Sequence, residues 1–117
     1  MITFDDLYLF ISASDLIITE YSNVGTEAVF MGKPVLTVNF LKENWECEEH
    51  YHTTGAVIYF EDYLKMEQVI KEILEDGKHL DTLVEGQKKM VDLYNSYNDG
   101  KATERIFNLI TDSKYNN

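Results

Sequence analysis

The stretch "ITEYSNVGTEAVFMGKPVLTVNF", Ile18 to Phe40, decides the fold. It leaves the apolar run "DLIIT", passes Ser22-Asn23, turns amphipathic, stops at Gly32-Lys33-Pro34 and becomes apolar again in "VLTVNF". Short apolar runs of this kind fit strands buried on both faces of a parallel sheet. Between them a helix is expected from about Asn23 to Met31, with Gly32 as its C-terminal stop and Pro34 just beyond. Strand, helix and strand in this order form a right-handed βαβ unit.

The same alternation extends outward. Upstream, "FDDLYLFISAS" sets Phe4, Leu7, Phe10 and Ile11 at helical spacing, and downstream "AVIYF" from Ala56 reads as a third strand. Three helices then close the chain. The first, near Glu61–Glu75, gathers Met66, Val69, Ile70, Ile73 and Leu74 on one side. The second, near Lys78–Tyr94, repeats Leu80, Leu83, Val84, Val91 and Tyr94. The third starts at Asn98-Asp99-Gly100 and carries Ala102, Ile106, Leu109 and Ile110. These apolar positions are expected to be core, with Asp99 as an N-cap and Arg105 paired to neighbouring acids. No repeat or linker interrupts the pattern. One α/β domain is expected over residues 1–113, a partial Rossmann-like fold with a short parallel sheet of about three strands, and residues 114–117 form a loose tail.

Bulk properties narrow the function. A chain of 117 residues holds one core, and 44% hydrophobic with 26% charged residues is ordinary for a globular domain. Ten Lys+Arg against 21 Asp+Glu give a formal charge of −11, a field that repels nucleic acids and anionic membranes. A small anion remains compatible, because backbone N–H groups bind it locally. The single Cys47 has no internal disulfide partner, which fits a reducing compartment. Asp5 and Asp6 near the start do not read as a signal peptide, and no apolar run is long enough to span a bilayer. The expectation is a soluble, cytoplasmic protein.

Ligands of parallel sheets sit beyond the C-terminal ends of the strands, near helix N-termini. Thr19 to Asn23 falls at that address. Ser22 or Asn23 can cap the helix, whose first-turn N–H groups lack intrahelical acceptors and attract a phosphate. Gly25 leaves room for close backbone approach. Glu27 follows about one turn later, where its carboxylate can accept hydrogen bonds from sugar hydroxyls. On spacing alone the leading reading is a plain cap at Ser22-Asn23 and a solvated Glu27, because Ser or Asn caps start very many helices.

A resemblance separates those two readings. "SDLIITEYSNVGTEAVFMGKPVL" is similar to the nucleotide-diphosphate segment in the C-terminal half of GT-B-fold enzymes. That superfamily includes glycosyltransferases, CDP-glycerol glycerophosphotransferases and UDP-N-acetylglucosamine 2-epimerases. The matching positions are Asp15, Thr19-Glu20, Ser22-Asn23, Glu27, Gly32-Lys33-Pro34 and Val35-Leu36. "YNDGKATERI", Tyr97 to Ile106, resembles the element that opens the last helix in the epimerases and their relatives. The resemblance implies that Thr19, Ser22, Asn23, Gly25 and Glu27 bind a nucleoside diphosphate or nucleotide-sugar, with Ser22 and Asn23 on the diphosphate and Glu27 on the ribose.

It further implies metal-independent transfer, with no cofactor, in which the helix end stabilises the leaving nucleoside diphosphate. Epimerases carry an Arg-Pro-Glu-type element after the second strand, where this chain has "LKENWECEEHYHTTG", so the transferase reading leads. The alternatives are an epimerase fragment or a non-catalytic donor-binding subunit. A complete GT-B enzyme has two Rossmann-like domains, and only the last three strands of one have counterparts here. A homo-oligomer or a missing N-terminal partner chain is therefore expected, through the bare edge of Leu16–Thr19.

The remaining candidates are weaker. "ECEEHYH" crowds Glu46, Cys47, Glu48, Glu49, His50 and His52 into one loop. Cys-x-x-His is incomplete for zinc and His-x-His alternates faces in a strand, so a solvated or partner-facing loop is expected, and no metal. No Gly-rich phosphate loop or Ser-His-Asp order is visible. Lys33 is expected to point away from the site.

Overall fold

The structure, a computed structural model, describes residues 4–20, 22–42, 53–94 and 99–112. The chain runs α1 (Phe4–Ala13), β1 (Ile17–Thr19), α2 (Asn23–Phe30), β2 (Val35–Val38), β3 (Ile58–Phe60), α3 (Tyr63–Asp76), α4 (Leu80–Tyr94) and α5 (Ala102–Thr111). The three strands form one parallel sheet in the order β1-β2-β3. This is the expected α/β architecture.

Strand alternation divides the core. Val35 joins Ile11, Ala28, Val29, Ala56, Val57 and Met90 on the face covered by α1, α2 and α4. Leu36 and Val38 turn the other way, to Phe60 and Ile73 beneath α3, with Met66, Val69 and Ile70 packed at the margin. Every residue of β2 is buried, as a central parallel strand requires. α2 ends as the sequence indicates: Gly32, at φ 71°, takes the left-handed conformation after the last turn. Gly86 serves packing instead. A Cβ there would fall on the backbone of Gly55 and Ala56, so α4 reaches β3's entry only because residue 86 has no side chain.

β1 forms one edge of the sheet. Ile17 N–H donates to Pro34 O at 2.9 Å. In an extended strand successive residues present their peptide groups to opposite sides, so Ile18 turns its N–H and C=O outward. Ile18 is 48% exposed, and Ile17, packed against the core, is only partly buried.

On α1, Ile11 is buried while Phe10 beside it is exposed. The structure corrects the expected core of the closing helices in two places. Leu74, Val84 and Tyr94 are exposed on α3 and α4, because each lies on the flank of a narrower buried stripe. α5 buries nothing at all. Ile106, Leu109 and Ile110 are 57–69% exposed, and Phe107 beside them is exposed as well. Periodicity shows that a helix has an apolar face; it does not show that anything covers it.

Candidate functional site

Ser22 is the N-cap of α2 in extended conformation, and its Oγ accepts from Val24 N at 3.2 Å. Its carbonyl accepts from Gly25 N at 3.0 Å. Two first-turn donors are thus used within the helix. Asn23 is the first helical residue and exposed, and by position its N–H has no intrahelical acceptor. Gly25 is buried on the inner face of α2.

Glu27 is the unusual residue. It is partly buried, and its Oε2 is buried with no hydrogen-bond partner among the described residues. A buried polar atom without a partner costs about 1–3 kcal/mol. A solvated helix residue would not carry that cost. A second such atom lies on the same side of the sheet: Thr37 Oγ1, on the face that Val35 shares with α2. Thr37 pairs in register with Thr19 at the end of β1 and with Tyr59 of β3. Thr19, Thr37 and Tyr59 thus form a row near the C-terminal ends of the strands. Sequence reading missed Thr37, although a hydroxyl inside the apolar run "VLTV" was the signal available.

The other end of α2 is built differently. Lys33 Nζ donates to Ser12 O at 2.6 Å and Ser14 O at 2.9 Å, so it neutralises the carbonyl end of α1. The buried Gln87 of α4 donates to Lys33 O at 2.7 Å. Gly32 N and Lys33 N return to Val29 O and Ala28 O. The Gly-Lys-Pro turn therefore ties α1, α2, β2 and α4 together, and Lys33 points away from the candidate site as expected.

Asp99 is not the N-cap of α5. That position is Lys101, which makes no side-chain cap. The Asp99 carboxylate accepts from Lys101 N at 3.0 Å and from Arg105 Nη1 at 2.9 and 3.0 Å. The Lys101 N–H, and then the guanidinium, hold its carboxyl below the usual carboxylate range. Tyr97, Asn98 and the "ECEEHYH" loop lie outside the described residues. Among the described residues no cluster of three or more His, Cys, Asp or Glu could hold a metal ion. No helix among them is long and apolar enough to cross a membrane.

With this geometry in hand, comparison with known proteins is specific. Residues 2–112 match the family described as CDP-Glycerol:Poly(glycerophosphate) glycerophosphotransferase. The chain belongs to that family. The UDP-N-acetylglucosamine 2-epimerase of Campylobacter jejuni is 29% identical over 114 residues, 97% of this chain and 27% of the epimerase. Both families are of the GT-B type, in agreement with the resemblance carried by the Ser22–Glu27 segment. No solved structure matches. The glycerophosphotransferase-family chain thus spans 27% of the length of the curated relative it matches.

Proposed function

We propose that the N-terminus of α2 binds the phosphates of a nucleotide-activated donor, CDP-glycerol first and a nucleotide-sugar second, as part of a transferase. The buried, unpartnered Glu27 Oε2 carries the reading. It is an acceptor placed one turn into a helix whose N-terminus lies where ligands of parallel sheets bind, and ribose hydroxyls would satisfy it. Ser22 and the Asn23 N–H take the phosphate oxygens, with the helix dipole adding to the attraction.

In glycerophosphoryl transfer an acceptor hydroxyl attacks the glycerol-bearing phosphorus, the bridging P–O bond breaks and CMP leaves. In sugar transfer the leaving group is the nucleoside diphosphate. Either way, negative charge grows on oxygens beside the helix end, and a fixed array of donors stabilises it without reorganising. Family membership supports the glycerol donor. The epimerase relative is what keeps UDP-sugars as the second reading.

The unpaired N–H and C=O of Ile18 fit a further strand, from a partner chain or from elsewhere in the enzyme. The isolated chain is accordingly expected to bind but not to catalyse. Two charge-assisted hydrogen bonds contribute roughly 3–6 kcal/mol, much of it lost to immobilising the ligand. Affinity for CDP is therefore expected near the millimolar range.

Titration of labelled protein with CDP-glycerol, CDP, UDP and pyrophosphate, followed by amide shifts, tests the reading. Shifts should cluster from Ser22 to Glu27. Glu27→Gln should weaken CDP and leave pyrophosphate unchanged, because only CDP offers ribose hydroxyls. Shifts confined to His50 and His52, or a Glu27→Gln chain that binds CDP normally, would sink the proposal.

A further inference from the structure

The sequence contains two Asp-Gly steps, Asp76-Gly77 and Asp99-Gly100. Such a step is chemically fragile. The glycine nitrogen can attack the carboxyl carbon of the preceding side chain, and glycine has no Cβ to obstruct the approach. The attack needs a carboxyl group free to swing, a nitrogen not held elsewhere and a backbone outside a helix. The structure gives these conditions to the two steps unequally.

Asp76 is the last residue of α3, and Gly77 is its left-handed cap. Gly77 N–H donates to Ile73 O at 3.2 Å, which holds the nitrogen against the helix. The Asp76 carboxylate pairs with Lys78 Nζ at 3.1 Å. Asp99-Gly100 instead lies ahead of α5, outside any helix, and both residues are exposed. Gly100 N–H has no acceptor among the described residues. Here the restraint falls on the carboxylate. Oδ1 accepts from Lys101 N at 3.0 Å, and Arg105 Nη1 donates to Oδ1 at 2.9 Å and to Oδ2 at 3.0 Å. Turning the carboxyl carbon onto Gly100 N breaks this set. The same partners hold the carboxyl below its ordinary range, and the ionised form gives up an oxygen less readily than the acid.

We infer that Asp99-Gly100 is a site of spontaneous rearrangement from aspartate to isoaspartate, and that Arg105 is the residue that restrains it. Gly100 N bonds to Asp99 Cγ; the nitrogen's proton and the carboxyl O–H leave as water, and a five-membered succinimide remains. Water then adds at the main-chain carbonyl carbon of residue 99, and the bond from that carbon to Gly100 N breaks. The chain now runs through the former side chain, one carbon longer, with a carboxylate where the main-chain carbonyl stood. One water leaves and one enters, so mass and oxidation state are unchanged. The side-chain carboxylate that pinned Lys101 N and Arg105 is consumed, and α5 loses the anchor at its start. The reaction uses no residue of the Ser22–Glu27 segment, so it stands whether or not CDP binds.

Incubation of the 117-residue chain in heavy-oxygen water at neutral pH, followed by peptide mapping, tests the inference. Heavy oxygen should enter at residue 99 and not at residue 76. Arg105→Met keeps a long, helix-forming side chain and removes the donor. It should raise the rate at 99 roughly threefold, the scale of an exposed ion pair, with α5 still formed by circular dichroism. Lys78→Met should leave residue 76 unlabelled, because the helix bond rather than the ion pair protects it. Asparagine variants examine the backbone alone: Asp99→Asn should deamidate by the same attack much faster than Asp76→Asn. Equal labelling at 76 and 99, or equal deamidation of the two asparagine variants, would overturn the inference. So would an Arg105→Met rate no higher than that of the parent chain, or one that rises only with loss of helix.

Discussion

The two ends of α2 carry equally recognisable sequence, Ser22-Asn23 at one and Gly32-Lys33-Pro34 at the other, but they are finished in opposite ways. At the C-terminal end the polar groups that matter are tied: Lys33 bonds the Ser12 and Ser14 carbonyls at and just past the end of α1, and Gln87 bonds the Lys33 carbonyl. Near the N-terminal end an acceptor is buried and left without a partner, on Glu27. Buried polar groups are nearly always satisfied, so Glu27 Oε2 is an exception, one that the proposed ribose contact would remove. Hydrogen-bond accounting, rather than residue type, separates the two ends.

The largest test strikes the built end. Gly86→Ala places a methyl on the Gly55 backbone, which cannot move aside as a flexible side chain would. We expect a loss of about 3 kcal/mol or more in urea unfolding, at the upper limit of overpacking effects. A near-neutral result would mean that α4 has room to slide, and that the Gln87 contact is not rigid. Next, Gln87→Leu leaves the partly buried Lys33 carbonyl without its donor and should cost about 1–3 kcal/mol. It should leave CDP affinity unchanged under folding conditions. A change in CDP binding would show the two ends of α2 to be coupled.

Ser22→Ala sharpens the comparison at the other end. It should cost about 1 kcal/mol through the lost cap and weaken both CDP and pyrophosphate. If stability falls while both affinities hold, Ser22 builds rather than binds. The smallest effect lies at Asp99. Its carboxyl is held below its ordinary value of 3.8, so it supports the start of α5 above that pH and loses this role as pH falls through its lower folded value. Circular dichroism should show a slight loss of helix on acidification below about pH 4. Asp99→Asn should remove that step, and an unchanged step would assign it to another carboxylate.

How much of this was legible in the sequence depends on whether a property belongs to a residue or to a place. Apolar runs located β1, β2 and β3, and Gly32 marked the end of α2, because backbone preference is local. The strands came out shorter than "VLTVNF" and "AVIYF" suggest, since pairing rather than composition ends them. The glycine in the middle of α4 was a visible anomaly, but its reason, the Gly55 backbone, lies far away in sequence. The face of α5 failed for a simple cause: spacing gives direction around a helix axis, and burial needs a neighbour. Of the site, Ser22's cap was readable from residue type. The isolation of Glu27 Oε2 and Thr37 Oγ1 was not, because an absent partner leaves no mark in a string of letters.

The order β1-β2-β3 has a consequence for how the chain acquires its shape during synthesis. Each strand lies beside the one made just before it: Ile17 meets Val35, and Leu36 meets Ile58. As the chain leaves the ribosome, every new strand finds its template already in place and need not wait for a distant segment. Each loop closed is a modest one, which favours rapid assembly for a parallel sheet. The same economy leaves β1, at the edge of the three described strands, with its outer side open.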